Sequence, residues 1–225
     1  MDALTRNGRT RQGCPRSRMT RCGYGGRPLG KLAVSFMSGS NSCMPDPVKK
    51  LAPTLREATE KDLPAILAIY NEVIATSTAV YSLEPSTLEE RRTWYRSRSS
   101  MGFPVLVATG SIDSDVLGFS SFGEWRGAWP GYRYTVEHTV HVRHDVRGGG
   151  AGRALVEALF PRALALGKHV MIGGIDATNN ASIRFHERLG FERVAAFREV
   201  GHKFGRWLDL LFVQRFLDAP GSTRS

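Results

Sequence analysis

From Val140 to Arg153 the chain reads Val-His-Val-Arg-His-Asp-Val-Arg-Gly-Gly-Gly-Ala-Gly-Arg, and this stretch limits the fold more than any other. The end of a β-branched strand runs into a glycine cluster, beyond which Ala154, Leu155, Leu159, Ala163 and Leu166 mark a helix. Glycines there let successive backbone N–H groups point into one concavity, and the helix adds its positive end, so a phosphate or pyrophosphate is the expected guest. A tight strand-to-helix turn calls for glycine equally well, so the cluster alone names no ligand. A Walker A loop closes on Gly-Lys-Ser/Thr, whereas this one closes on Gly152-Arg153-Ala154. A dinucleotide fingerprint needs a third glycine where Leu155 stands; Asp176 could serve such a ribose, but the remaining chain is too short for a second βαβ half.

The rest of the chain supplies the elements around this turn. Leu55 to Ala58 reads as a first strand, and Thr59 to Asp62 as the capped, acidic start of a helix with Leu63, Ile66, Leu67 and Tyr70 on one side. Residues 71 to 86 read as a loop, followed by a helix from about Leu88 to Arg98. Phe103 to Ala108 and Val116 to Phe122 form a hairpin signal around a turn at Gly110 to Asp115. A loop from Gly123 to Gly131 leads to a long strand, Tyr132 to Val142. Pro161 predicts a kink in the helix that ends at Gly167. A strand from His169 to Ile175, a helix from Asn179 to about Leu189, and two antiparallel strands around a loop at Gly201 to Gly205 complete an α/β (α+β) chain. No repeat is visible, so one domain with a single mixed sheet is expected over residues 54–217.

Composition separates that domain from what precedes it. Residues 1–53 hold ten Lys or Arg against two acids, and so carry eight of the ten net positive charges. This stretch is rich in Gly, Ser, Arg and Pro without apolar periodicity, the composition of a disordered basic extension. Few aromatics interleave with the cations, which argues against a nucleic-acid arm. Residues 218–225 read as a flexible tail. Cys14, Cys22 and Cys43 all precede the domain, which therefore holds no disulfide, Cys–zinc site or catalytic thiol. No apolar run approaches the ~18 residues that span a bilayer. A protein of the reducing cytoplasm, without metal or membrane, is expected.

Arg147-x-x-Gly150-x-Gly152 between strand and helix resembles the acetyl-CoA pyrophosphate loop of the GNAT acetyltransferase superfamily, and Asn179 followed by a helix ending in Gly190-Phe191 fits the same pattern. Three longer stretches, Val136–Val142, Ala181–Phe191 and Gly201–Asp209, are similar to the phosphinothricin and methionine-sulfone N-acetyltransferase branch, as are Ser77-Thr78 and Trp125-Arg126. The likeness runs from Leu55 to about Phe216.

The resemblance implies a GNAT fold: a twisted, mostly antiparallel mixed sheet flanked by helices. It further implies transfer of acetyl from acetyl-CoA to the amine of a small molecule, and a homodimer. Val140, His141 and Val142 would lie along the pantetheine arm, Arg147, Gly148, Gly149, Gly150, Ala151, Gly152 and Arg153 would hold the pyrophosphate, and Asn179 would bond the pantetheine or backbone near it. Glu137 is the candidate general base, its alternative an exposed strand glutamate. His186 is the candidate acid for the leaving thiolate, its alternative a mere wall of the cleft. His138 points to the opposite face from Glu137 by strand alternation and reads as packing, its alternative a bulge that turns it inward. Arg126 with Trp125 is the candidate anion clamp, and Thr78, Tyr81 and Tyr132 are candidate substrate walls. Acetylation of a protein N-terminus, or a non-catalytic CoA-binding role, are the alternatives to a small amine.

Overall fold

The computed structural model describes residues 53–110 and 115–217. The basic N-terminal stretch, the middle of the first hairpin turn and the last eight residues, with the expectations placed on them, lie outside the described residues. Seven strands form one sheet in the order β1-β2-β3-β4-β5-β7-β6: β1 Thr54–Glu57, β2 Val105–Thr109, β3 Val116–Glu124, β4 Thr135–Val142, β5 Val170–Asp176, β6 Glu192–Lys203 and β7 Arg206–Phe216. Every neighbouring pair is antiparallel except β4 with β5. The mixed, mostly antiparallel sheet expected from the sequence is therefore the sheet observed.

Two helical layers cover its faces. On one side α1 (Leu63–Thr76) and α2 (Leu88–Ser100) pack on Val105, Val107 and Phe119; on the other α3 (Ala151–Glu157), α4 (Leu159–Ala165) and α5 (Asn180–Arg188) pack on Leu106, Ala108, Phe122, Val136 and Met171. Consecutive β2 residues thus enter opposite cores, which is why that strand is apolar throughout and buried along its length. Among the described residues, no helix is long and apolar enough to cross a membrane.

Several elements differ from their sequence expectations for identifiable reasons. Residues 71–76, expected in a loop, continue α1, because Val73 and Ile74 extend its buried stripe beyond Ile66 and Ile69. The expected kink is a break: α3 ends at Glu157 and α4 starts at Leu159. Pro161 has no N–H for the Glu157 carbonyl four residues earlier, and its ring crowds that oxygen. The expected Gly201–Gly205 loop narrows to Phe204 and Gly205, both at positive φ (52° and 73°), the geometry of a tight two-residue hairpin turn.

The α1–α2 connection is tied to this last hairpin. Lys203, 3% exposed, donates from Nζ to the carbonyls of Ser77 (2.9 Å) and Val80 (2.7 Å). The Tyr81 ring lies where a side chain at residue 201 would begin, so Gly201 is required by close approach. Thr78 donates through a short hydrogen bond to Asp176 at the end of β5.

Leu155, fully buried, holds α3 in the core, and its carbonyl accepts a hydrogen bond from Ser120 of β3 at 3.1 Å. Leu155→Ala should lower the unfolding free energy by about 2–5 kcal/mol in urea titration. A loss under about 1 kcal/mol would mean that α3 is not clamped to the sheet as described.

Candidate active site

The site is made by a failure of strand pairing. β4 and β5 are paired at Thr135/Val170, Val136/Met171 and Glu137/Ile172, and no further, although β4 continues to Val142 and β5 to Asp176. Past Glu137 the strands part, and β4 backbone groups facing β5 have no strand partner among the described residues. Gly173 and Gly174 stand at the point of divergence. A Cβ on Gly173 would lie 2.6 Å from the His138 ring, and one on Gly174 would lie 3.4 Å from Glu137 Oε1. A glycine pair inside a strand marks such an approach, and is the sequence signal by which the wedge could have been found.

The wedge opens into a cleft of about 700 Å³. Of the predicted catalytic and cofactor residues, Glu137, Val140, His141, Val142, Arg147, Gly148, Gly150, Ala151, Gly152, Arg153, Asn179 and His186 line it. Gly149 does not, and its N–H is taken by the Val146 carbonyl. Gly148 and Gly150 adopt φ of 79° and 90°, values open to glycine at no steric cost. The amides of Ala151, Gly152 and Arg153 open α3, where no carbonyl four residues earlier belongs to the helix. Asn179 caps α5, its Oδ1 accepting from the Ser182 N–H at 3.0 Å.

The predicted substrate residues are placed elsewhere. Thr78 and Tyr81 are engaged in tying down the α1–α2 connection, Thr78 to Asp176 and the Tyr81 hydroxyl donating to the Asp209 carbonyl at 3.3 Å. Trp125 packs edge-on against Phe212, which in turn adjoins Gly174. Arg126 is exposed at φ 50°, and Tyr132 is exposed as well. None of the five lines the cleft; Ser77, Ala79 and Val80 of the same connection do.

Glu137 points to the α1–α2 side of the sheet, where burial pushes its carboxyl above the usual range; the nearby Arg98 guanidinium opposes this. Arg98, which the sequence did not single out, lies over Gly123, the partner of Glu137 on β3; a Cβ on Gly123 would sit 2.5 Å from its guanidinium. On the same side His141 packs against Tyr70 and Phe119, and burial aided by Arg147 and Arg91 pushes it down to about 4. It is therefore neutral at neutral pH.

His138 does point to the other face, as alternation requires, but it is more than packing. Its Nε2 lies 3.0 Å from Nε2 of His186, both rings being buried against Phe191. Because the cleft passes between two strands, it is reached from both faces of the sheet, and Glu137 and His186 border one space.

Residues 66–191 match the family model described as Acetyltransferase (GNAT) family. The chain belongs to the GNAT acetyltransferase family. It is 47% identical over 172 residues to an L-methionine sulfoximine/L-methionine sulfone acetyltransferase of Pseudomonas aeruginosa, covering 76% of this chain and 99% of that one. It is 36% identical to a phosphinothricin N-acetyltransferase of Streptomyces coelicolor, covering 72% and 94%. Among solved structures, a putative acetyltransferase of Salmonella typhimurium with its cofactor acetyl-CoA superposes with a TM-score of 0.70 at 43% identity, covering 76% of this chain and 97% of that one. The GNAT fold and N-acetyltransferase class implied by the sequence resemblance are thus those of this chain.

The electrostatics of this GNAT site make one prediction independent of turnover. Arg98→Leu removes the charge that opposes burial, so the Glu137 carboxyl should titrate at higher pH than in the parent, followed by carbon-13 NMR of the side chain. A downward shift would show that Arg98 does not act on Glu137 as its position indicates.

Proposed function

We propose that this GNAT enzyme moves an acetyl group from acetyl-CoA to the α-amine of a small amino acid bearing a sulfone, sulfoximine or phosphinate group, by direct transfer in a ternary complex. The observation that carries this proposal is the wedge itself. It sets a half-buried carboxylate, an unpaired strand edge and a glycine-lined run of free amides around one cleft. The residues present fit the coenzyme. Gly148 and Gly150 to Arg153 would receive the pyrophosphate, and the β4 edge over Val140 to Val142 would receive the amide-bearing arm as an added strand. The bound coenzyme supplies an acetyl thioester.

Glu137 then acts as general base. A carboxyl raised by burial takes a proton from an ammonium or attacking amine more readily than an exposed one. As the N–C bond forms and the C–S bond breaks, one proton goes from the amine to Glu137 and one reaches the departing sulfur from His186, which lines the cleft from the other face. The substrate class rests on the names borne by the Pseudomonas and Streptomyces relatives. The α1–α2 connection, fastened by Lys203 and Thr78, closes the cleft beside Ser77 and Val80, which favours a compact substrate over a protein N-terminus. A homodimer is supported by β6, where Val194, Phe197 and Val200 are all about half exposed. The reducing cytoplasm remains the proposed location, and neither metal, membrane nor nucleic acid enters the reaction.

Calorimetry should detect acetyl-CoA binding, and thiol release should follow addition of methionine sulfone, methionine sulfoximine or phosphinothricin. Binding without release on any of the three would refute the substrate class, and no binding would refute the reaction. Glu137→Gln should reduce kcat by about 10²-fold or more while leaving acetyl-CoA affinity unchanged. Because the base must be unprotonated, parent kcat/KM should rise with pH through the elevated Glu137 pKa, and the rise should vanish in the variant.

A further inference from the structure

His138 and His186 meet in an arrangement that ordinary neutral imidazoles do not satisfy. His138 Nδ1 lies 2.8 Å from the Ile172 carbonyl, and His186 Nδ1 lies 2.7 Å from the Ser182 carbonyl. A carbonyl oxygen only accepts, so each Nδ1 carries a hydrogen. In a neutral ring that leaves Nε2 with a lone pair, and the two Nε2 atoms face each other at 3.0 Å. Two lone pairs at that distance repel. Moving the hydrogen of either ring to Nε2 would mend this contact and set a lone pair against a carbonyl instead; the Ser182 hydroxyl, at 3.4 Å from His186 Nδ1, is too far to compensate. One added proton between the rings satisfies every contact at once, as an N–H donated by one Nε2 to the other.

We propose that His138 and His186 share a single proton between their Nε2 atoms, and that this pair is the proton source for the departing sulfur, with His138 as a positioning residue that keeps His186 charged. The inference rests on the acetyl transfer proposed above. In each turnover the shared proton leaves through His186 to the sulfur as the C–S bond breaks, the electron pair of that bond staying on sulfur. The pair becomes neutral, and a proton from solvent restores it.

The surroundings are consistent with one proton and not two. Phe185 and Phe191 enclose His186, and Phe191 lies against His138. The titratable groups acting on His138 are His186 and His141, both imidazoles; on α5, Glu187 turns away to Arg193, and Asp176 at the end of β5 is engaged by Thr78, Thr178 and Arg206. Glu137, adjacent in sequence, points to the other face of the sheet, and Arg153 on α3 pairs with Glu157 at the surface. Burial pushes both imidazoles down, His138 to about 3 with the second ring adding to the shift, so the rings resist two protons, and it is the direct Nε2–Nε2 contact that offers one proton a hydrogen bond.

Long-range proton–nitrogen NMR of the ligand-free protein counts these protons without reference to catalysis. At neutral pH the pair should show both Nδ1 atoms protonated and both Nε2 atoms with shifts between the protonated and unprotonated limits, three protons on four nitrogens. Two protons on four nitrogens would overturn the inference while leaving acetyl-CoA binding and thiol release, and so the proposed function, intact. In turnover, kcat should fall as pH rises past the point where the pair loses its proton. His138→Phe removes the partner, and burial then strips His186 of its proton at lower pH. That alkaline limb should therefore move to lower pH, with roughly a ten-fold loss of kcat for each unit moved at a fixed alkaline pH. His138→Gln, whose amide oxygen can accept from a charged His186, should restore part of the shift. A variant that loses stability or activity equally at all pH values, with the limb unmoved, would reduce His138 to packing. Should neither variant fold, the proton count in the parent protein still decides.

Discussion

The three-pair contact between β4 and β5 is the constraint on which the rest of this structure depends. It is the one parallel pairing in the sheet, and it ends where Gly173 and Gly174 leave room for the side chains of His138 and Glu137. Closure of the ladder would bury backbone groups in pairs and leave a flat sheet with no cleft. The opened ladder leaves a strand edge whose donors and acceptors face the cleft and take their partners from whatever fills it. A ligand with its own amides is the chemical complement of such an edge. The glycine loop follows β4 directly, so the same divergence that frees the edge also sets the loop at the mouth of the cleft.

An opening through a sheet must be held by something other than the sheet. Both sides of the wedge are fixed from outside it. β4 stays fully paired to β3 from Val136 to Val142, while β5 is paired along its length to β7. β7 in turn carries the hairpin whose Lys203 anchors the α1–α2 connection, and Asp176 at the tip of β5 accepts from Thr78 of that connection. The connection thus joins the two halves at the far end of the cleft. This explains why Thr78 and Tyr81, polar residues in a loop beside the site, serve the frame and not the cleft wall. Their hydroxyls are already committed to Asp176 and Asp209.

Much of this was legible in the sequence, and the limits are physical. Local signals carried the elements: β-branched runs gave the strands, the Thr59 cap gave a helix start, and Pro161 gave a kink where the chain in fact breaks between α3 and α4. The glycine loop, and the opposite faces of Glu137 and His138, could be assigned because they depend on a turn and on strand alternation, both local properties. What could not be read was anything set by pairing between distant segments. The continuation of α1 through Val73 and Ile74 depends on what covers them. Alternation alone separated His138 from the chemistry, because it assumes an unbroken sheet with two sealed faces. Arg98, on a helix with a polar sequence, gave no sign that it would lie over Gly123 behind Glu137. The Gly173-Gly174 pair was the visible clue, and it points to the splayed strands only once a partner strand is in view.

Burial acts with opposite sign on the Glu137 carboxyl and the His186 imidazole, and each has a neighbour that opposes it. A carboxyl moved out of water holds its proton more firmly, while an imidazole holds its proton less firmly. Unopposed, desolvation would drive Glu137 toward its protonated form and His186 toward its neutral form. Each group has a counterweight of the required kind: a guanidinium from α2 for the carboxylate, and for the imidazole a carbonyl from its own helix. These counterweights come from opposite faces of the sheet, so neither charge lies beside the other's support. A single-faced site would place Arg98 near the histidine pair and weaken both. The cleft through the sheet is thus an electrostatic arrangement as well as a steric one, because it lets a carboxyl and an imidazole border one space in separate surroundings.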